Sequence, residues 1–373
     1  MKKLYLLFLL PFAAACSGKL PEQEVLKIFS RHSYEEHSPQ RLSGLLREKG
    51  AAGLRELDRR ALVLKSRRPV KARPSEKNFS SGLLIGARGG GLFLLKVFRD
   101  SPGAAAGFRD GDRLMELDGE PASPDAVRRR ITGSAGFRLK AERRGAAGPL
   151  EARVARDDFF FPPNFAFYDK NTRTGFLRLG LFFEGSAEAV LSGLDAMLRL
   201  GAANVIFDLR DNPGGAPAEA AEVLKAFAPK AGPVFEVRSR HKGYSALFEA
   251  AGRGRLAGLK TAALVNSGTS MAAEIFARSL KEVSGAVLVG EATAGSVSLV
   301  RVFSLGDGRG LELSVARLFP PSGQDMEGKG GEPDLKPGTA GRRGVWDDSR
   351  ETTLLGDKAY AAAIGFFAPG AVP

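Results

Sequence analysis

The sequence has one cysteine, one tryptophan and three histidines among 373 residues. A lone cysteine excludes an intramolecular disulfide framework, and no cysteine-based or other metal-ligand set is present. The apolar run Leu4–Phe12 is shorter than the roughly 20 residues a spanning helix needs. The net charge is +13, yet the basic residues form no recognition stripe, because arginines alternate with carboxylates through 99–158. No helix-turn-helix, zinc-finger or RNA-binding signature accompanies the charge, which argues against a nucleic-acid partner. One dense run exists: Arg59, Arg60, Lys65, Arg67, Arg68, Lys71 and Arg73. It reads best as a solvated helix end or linker. The alternative is contact with anionic headgroups, worth about 1 kcal/mol per basic residue.

What is present suffices for a core and two or three domains, with 43% hydrophobic and 26% charged residues. Lys2 and Lys3 precede the apolar run, and Ala13–Ala15 lead directly to Cys16. This start resembles a bacterial lipoprotein signal, with Ala13 where leucine is usual, and implies cleavage before Cys16 and lipidation of its thiol. An ordinary secretory signal is the alternative. The only cysteine stands at this spot, which favours the lipid anchor. The implied location is the periplasmic side of a bacterial membrane, and Ser17 leans toward the outer one.

Residues 16–78 read as a helical segment, with Leu42, Leu45, Leu46, Leu54 and Leu57 at helical spacing and Pro69 and Pro74 closing it. From Phe79 the pattern turns to strands and tight turns: Phe79–Ile85, Leu92–Phe98, a short helix at Ser101–Gly107, and two Asp-Gly turns at Asp110 and Asp118. The order strand, "SPGAAAG", "DGDRLMELDG", helix and strand (Phe137–Arg143) resembles the PDZ domains of bacterial proteases, over about 79–158. Such a domain takes an extended peptide as an added strand and holds its terminal carboxylate on backbone N–H groups. By this resemblance the holding loop is Gly82, Leu83 and Leu84. A PDZ fold kept only as a rigid arm is the alternative.

Beyond Phe159 the pattern alternates β and α: strands at Gly175–Leu181, Asn204–Leu209, Thr261–Val265 and Ala286–Val289, helices at Ala187–Leu200, Glu219–Phe227 and Ala272–Lys281. This argues an α/β layered domain. Four ordered stretches, "VIFDLRDNPGG" (205–215), "LVNSGTSMAAEIFA" (264–277), "VLVGEATAGS" (287–296) and "PPSGQDMEGKGGEPDL" (320–335), resemble the C-terminal processing, or tail-specific, serine protease family. The resemblance implies a crotonase-like (ClpP/crotonase) α/β domain over 159–338, followed by a tail with a short helix over 339–373. The implied partners are polypeptide C-terminal tails or unfolded envelope proteins, and no cofactor is implied.

Acyl-transfer proteolysis needs a nucleophile, a base and N–H donors for the oxyanion. By the resemblance, the nucleophilic serine falls at Met271, whose thioether has no proton to lose. The lysine falls at Ser296, and the glutamine that often supports it falls at Val300. The oxyanion donors fall at Gly214, Gly215 and Ala272, although the glycines could equally serve the turn alone. Ser270 is the candidate substitute nucleophile, but a one-residue offset turns its side chain about 100° away. His32, His37 and His241 lie outside these motifs. The expectation is a peptide-binding pseudoprotease. The rivals are an active endopeptidase rearranged around Ser270 and a scaffold that binds no peptide.

Overall fold

A computed structural model describes residues 20–64, 79–88, 91–124, 126–127, 136–158, 162, 164–338, 354 and 356–368. Cys16 and most of the basic run lie outside them. The chain opens with α1 (Glu22–His32), α2 (Pro39–Lys49), a 3-10 turn (Gly50–Glu56) and β1 (Leu62–Leu64). Ser38 caps α2 by accepting from Arg41 N–H, and Pro39 follows in the first turn, where no amide hydrogen is missed. Val25, Phe29, Leu42, Leu54 and Val63 bury against Leu305, Leu311 and Leu313. The segment read as helical thus contains a strand, because Leu62–Leu64 complete a sheet edge at Gly310–Glu312.

Next come β2 (Phe79–Ser80), β3 (Leu83–Arg88), β4 (Gly91–Val97), α3 (Pro102–Ala105), β5 (Arg113–Leu117), β6 (Glu120–Pro121), β7 (Phe137–Glu142), β8 (Leu150–Val154) and β9 (Asp157–Asp158). Strands β3-β4-β5-β7-β8 form an antiparallel sheet in that order, with β6 on β5, while β2 pairs β9 separately. The run expected as one strand from Phe79 breaks at Gly82, which has a φ of 66°. The helix expected before Phe137 lies largely outside the described residues.

The remainder holds β10 (Asn164–Asp169), β11 (Thr174–Leu179), α4 (Ser186–Arg199), β12 (Asn204–Asp208), α5 (Pro217–Phe227), β13 (Ala231–Arg238), β14 (Ala246–Ala251), β15 (Lys260–Val265), α6 (Met271–Ser284), β16 (Val287–Gly290), β17 (Ser298–Ser304), β18 (Gly310–Phe319) and α7 (Lys358–Phe366). The central sheet runs β10-β11-β12-β15-β16, parallel except for β10. Its parallel strands are largely buried on both faces, as such strands usually are. Leu177, Val205, Phe207, Ala263 and Leu288 face the core that contains α4, α5 and α6. Phe176, Ile206, Ala262, Leu264 and Val289 face the opposite way, toward α7 and toward Leu84, Leu95 and Phe98 of the preceding sheet.

A second sheet, β1-β18-β13-β14 with β17 also on β18, went unread in the sequence. Its clearest signal was Asp307-Gly308 between two apolar runs, a hairpin turn that joins β17 to β18. The strands expected in the central sheet and the helices expected between them are all present, with ends moved by at most three residues.

Candidate active site

Two turns at the carboxyl ends of neighbouring parallel strands build the site. After β12, Leu209–Gly215 runs across the end of the sheet. After β15, Asn266–Ser270 does the same and feeds α6. Their short polar side chains lock them together. Asn266 Oδ1 accepts from Asp211 N–H at 2.9 Å, and Asn266 Nδ2 donates to Asp211 Oδ1 at 2.9 Å. Thr269 Oγ1 donates to the Leu209 carbonyl at 2.8 Å, and Ser270 N–H donates to the Asn212 carbonyl at 3.0 Å. Two sequence motifs are thereby one structural unit.

The approach is tight. A Cβ at Gly214 would lie 2.7 Å from the Met271 Cβ, and one at Gly215 would lie 2.0 Å from the Phe182 carbonyl oxygen. Both glycines have positive φ, 111° and 113°, so steric and conformational demands coincide. Met271 opens α6 with a φ of 50°, an uncommon conformation for a non-glycine residue. Its side chain is buried, and its N–H donates to the Ser296 carbonyl at 2.7 Å.

The three expected oxyanion donors separate into two kinds. Gly215 N–H and Ala272 N–H have no partner among the described residues. Gly214 N–H, in contrast, donates to Asn212 Oδ1 at 2.7 Å. Asn212 is itself fixed by Nδ2 donating to the Leu179 carbonyl at 2.6 Å. This corrects the expectation for Gly214, because a short side chain two residues earlier closes on its amide.

Ser296 sits where Glu274 holds it. Glu274 accepts from Ser296 N–H at 3.0 Å, from Gly295 N–H at 2.9 Å, and from Thr293 Oγ1. Burial keeps the Glu274 carboxyl above the ordinary glutamate range, against the opposing pull of these three donors. Sequence reasoning missed Glu274, though a lone carboxylate inside the apolar run Met271–Ala277 was a visible signal.

Arg60 was missed for a different reason. Its Nη1 donates to Ser296 Oγ at 3.2 Å, and its Nη2 lies 3.9 Å from Glu312. Arg59 approaches Glu327 at 4.0 Å. These two residues leave the basic run, read as a solvated linker, and turn toward the site, carried there by the pairing of β1 with β18. A guanidinium stays protonated, so Arg60 places a fixed positive charge beside Ser296 and cannot accept a proton. Ser270 is half-buried, and its hydroxyl makes no hydrogen bond among the described residues. Val300 lies on β17 opposite Ser314.

Below the first turn lies an ion network. Arg210 forks onto Asp208 with Nε at 2.8 Å and Nη2 at 2.6 Å, and its Nη1 pairs with Asp357 at 2.7 Å. Arg178 Nη1 donates to the Asp208 and Arg210 carbonyls. Burial alone would raise the Asp208 carboxyl, but the charges of Arg210 and Arg178 outweigh it and hold it below the ordinary range.

Residues 173–336, which contain both turns and the loop that Glu274 holds, match the model of peptidase family S41. The chain carries a peptidase family S41 domain. Over 260 residues it is 27% identical to the carboxy-terminal processing protease CtpA of Bacillus subtilis, covering 68% of this chain and 55% of that protein. Over 253 residues it is 29% identical to the carboxyl-terminal-processing protease of Synechocystis, covering 65% of this chain and 58% of the relative. The chain thus spans little more than half the length of these relatives. The structure of a photosystem II D1 C-terminal processing protease shares the fold, with a TM-score of 0.50 at 20% identity, over 84% of this chain and 92% of that one.

In the S41 domain, then, the structure brings Gly215, Ser270, Met271, Ala272 and Ser296 to one place. It sets Gly82, Leu83 and Leu84 apart from it, on the preceding antiparallel sheet. There Gly82 N–H donates to Ser80 Oγ at 3.1 Å, and the Leu83 and Leu84 side chains are fully buried.

Proposed function

We propose that this chain is an envelope lipoprotein of the C-terminal processing group that binds polypeptide tails without cutting them. One observation carries the reading: Met271 stands at the strand-to-helix turn, while Ser296 opposite it meets the guanidinium of Arg60. This arrangement has neither an oxygen nucleophile at position 271 nor a neutral amine at position 296 to take its proton. Two N–H groups without a partner among the described residues, of Gly215 and Ala272, remain to receive a peptide carbonyl or carboxylate.

We read the antiparallel sheet of 79–158 as a PDZ domain and the S41 domain as crotonase-like. The first reading rests on the strand order around α3 and on the Ser81-Gly82 break before edge strand β3. The second rests on parallel strands whose carboxyl-end turns converge on one helix start. Peptide capture by the Gly82–Leu84 loop would use backbone groups alone, since the leucine side chains point inward. Anchoring through Cys16 and a periplasmic location belong to the same proposal and rest on the sequence before residue 20.

The test is covalent labelling with a fluorophosphonate, together with mass spectrometry of an unfolded protein incubated with the chain. Neither a labelled adduct nor cleavage products are expected. Labelling that disappears in Ser270→Ala would overturn the proposal and make Ser270 the nucleophile.

A further inference from the structure

The outer edge of β3 already has an occupant. Among the described strands, β3 ends its sheet, pairing with β4 through Leu83↔Val97 to Arg88↔Gly91. On its other side, Leu354 N–H donates to the Ile85 carbonyl at 3.1 Å. The Leu354 side chain is 4% exposed and packs in the apolar cluster that includes Leu84 and Leu95. An extended polypeptide added to this edge needs the same carbonyl and the same space.

A second contact holds the occupant from the other end. The Asp357 side chain caps α7 by accepting from Tyr360 N–H at 2.9 Å. It also pairs with Arg210 at 2.7 Å, and both side chains are almost fully buried. Arg210 is the residue before Asp211, in the turn that carries Gly214 and Gly215. Helix α7 then packs on the central sheet, where Tyr360 meets Phe176 edge-on. Leu354 and Asp357 therefore tie the edge of one sheet to the site-bearing turn of another.

We propose that Leu354 is a built-in competitor for the β3 edge, so that an incoming peptide must displace it, and that the Asp357–Arg210 pair sets how firmly it stays. This rests on the peptide-binding reading above. It adds that the edge is closed in the resting protein. Displacing Leu354 also pulls on the segment that grips Arg210, so peptide arrival is felt at the turn of Gly214 and Gly215.

Two variants test this with a fluorescein-labelled extended peptide ending in valine with a free carboxylate. Leu354→Pro removes the N–H donor and leaves α7 and its cap in place. Asp357→Asn removes the ion pair and keeps the helix cap, because asparagine caps as well as aspartate. Each variant should bind the peptide about threefold to tenfold tighter than the parent, since Leu354→Pro loses a hydrogen bond with part of its apolar packing and Asp357→Asn loses an ion pair. In the parent, saturating peptide should expose the Leu354 amide to hydrogen exchange. Equal affinity in all three forms, with Leu354 still protected at saturation, would overturn the competitor and leave peptide binding standing. No binding by any of the three would overturn the peptide-binding reading and the competitor with it.

Discussion

Met271 and Ser296 are joined through their backbones, Met271 N–H donating to the Ser296 carbonyl at 2.7 Å. The turn that opens α6 and the loop gripped by Glu274 therefore stay in register, with a thioether at one position and a hydroxyl at the other. The backbone frame holds with methionine at 271 and serine at 296.

That frame makes reconstruction a meaningful experiment. Met271→Ser alone should give no measurable peptide cleavage, because nothing beside it accepts a proton. Met271→Ser with Ser296→Lys should cleave slowly and label with a fluorophosphonate. Arg60 would face the new amine, and like charge favours its neutral form. Activity should rise with pH, and adding Arg60→Ala should move that rise to higher pH.

Gly215→Ala should destabilise the protein by at least about 2 kcal/mol in urea unfolding, from a disfavoured φ combined with a clash against the Phe182 carbonyl. Gly193→Ala is the contrast. It lies inside α4 with open space around it and should stabilise by about 0.5–1 kcal/mol.

Stability should fall as the solution is acidified through the histidine range. Burial lowers the pKa of both His32 and His37; for His32, His241, Arg301 and Arg31 add to the shift. A depressed histidine pKa means the unfolded chain takes up protons first. The contribution is thus present above about 6.5 and is lost as pH drops through the lower folded value. His32 stacks on Phe303 at 4.5 Å, so His32→Phe keeps the ring contact while removing the charge. Thermal melts from pH 8 to 5 should decline less steeply in that variant.

Peptide affinity should depend on a free terminal carboxylate. Amidating the peptide should weaken binding to the Gly82 loop severalfold, as measured by fluorescence anisotropy. Ser80→Ala frees the Gly82 N–H from its internal acceptor. It should strengthen binding of the acid form and leave the amide form unchanged.

Membrane attachment should require Cys16. Cys16→Ala should accumulate as an uncleaved precursor or a soluble species in cell fractionation, because lipid chains supply the apolar burial at the bilayer. Fractionation identical to the parent would remove the lipid anchor.

The sequence by itself determined the order of motifs, the buried strands of the central sheet and the residues standing at 271 and 296. Those features are local: a run of apolar residues specifies a buried strand, and glycine at Gly215 specifies a turn no other residue fits. Only the tertiary structure decided that Arg60 meets Ser296, that Asn212 takes the amide of Gly214, and that Leu354 sits on β3. The first and third join residues far apart in sequence, set by how β1 pairs β18 and how α7 packs on the central sheet. The second is close in sequence, yet an asparagine there could equally have turned outward. Its direction follows from Leu179, whose carbonyl holds the side-chain amide in place.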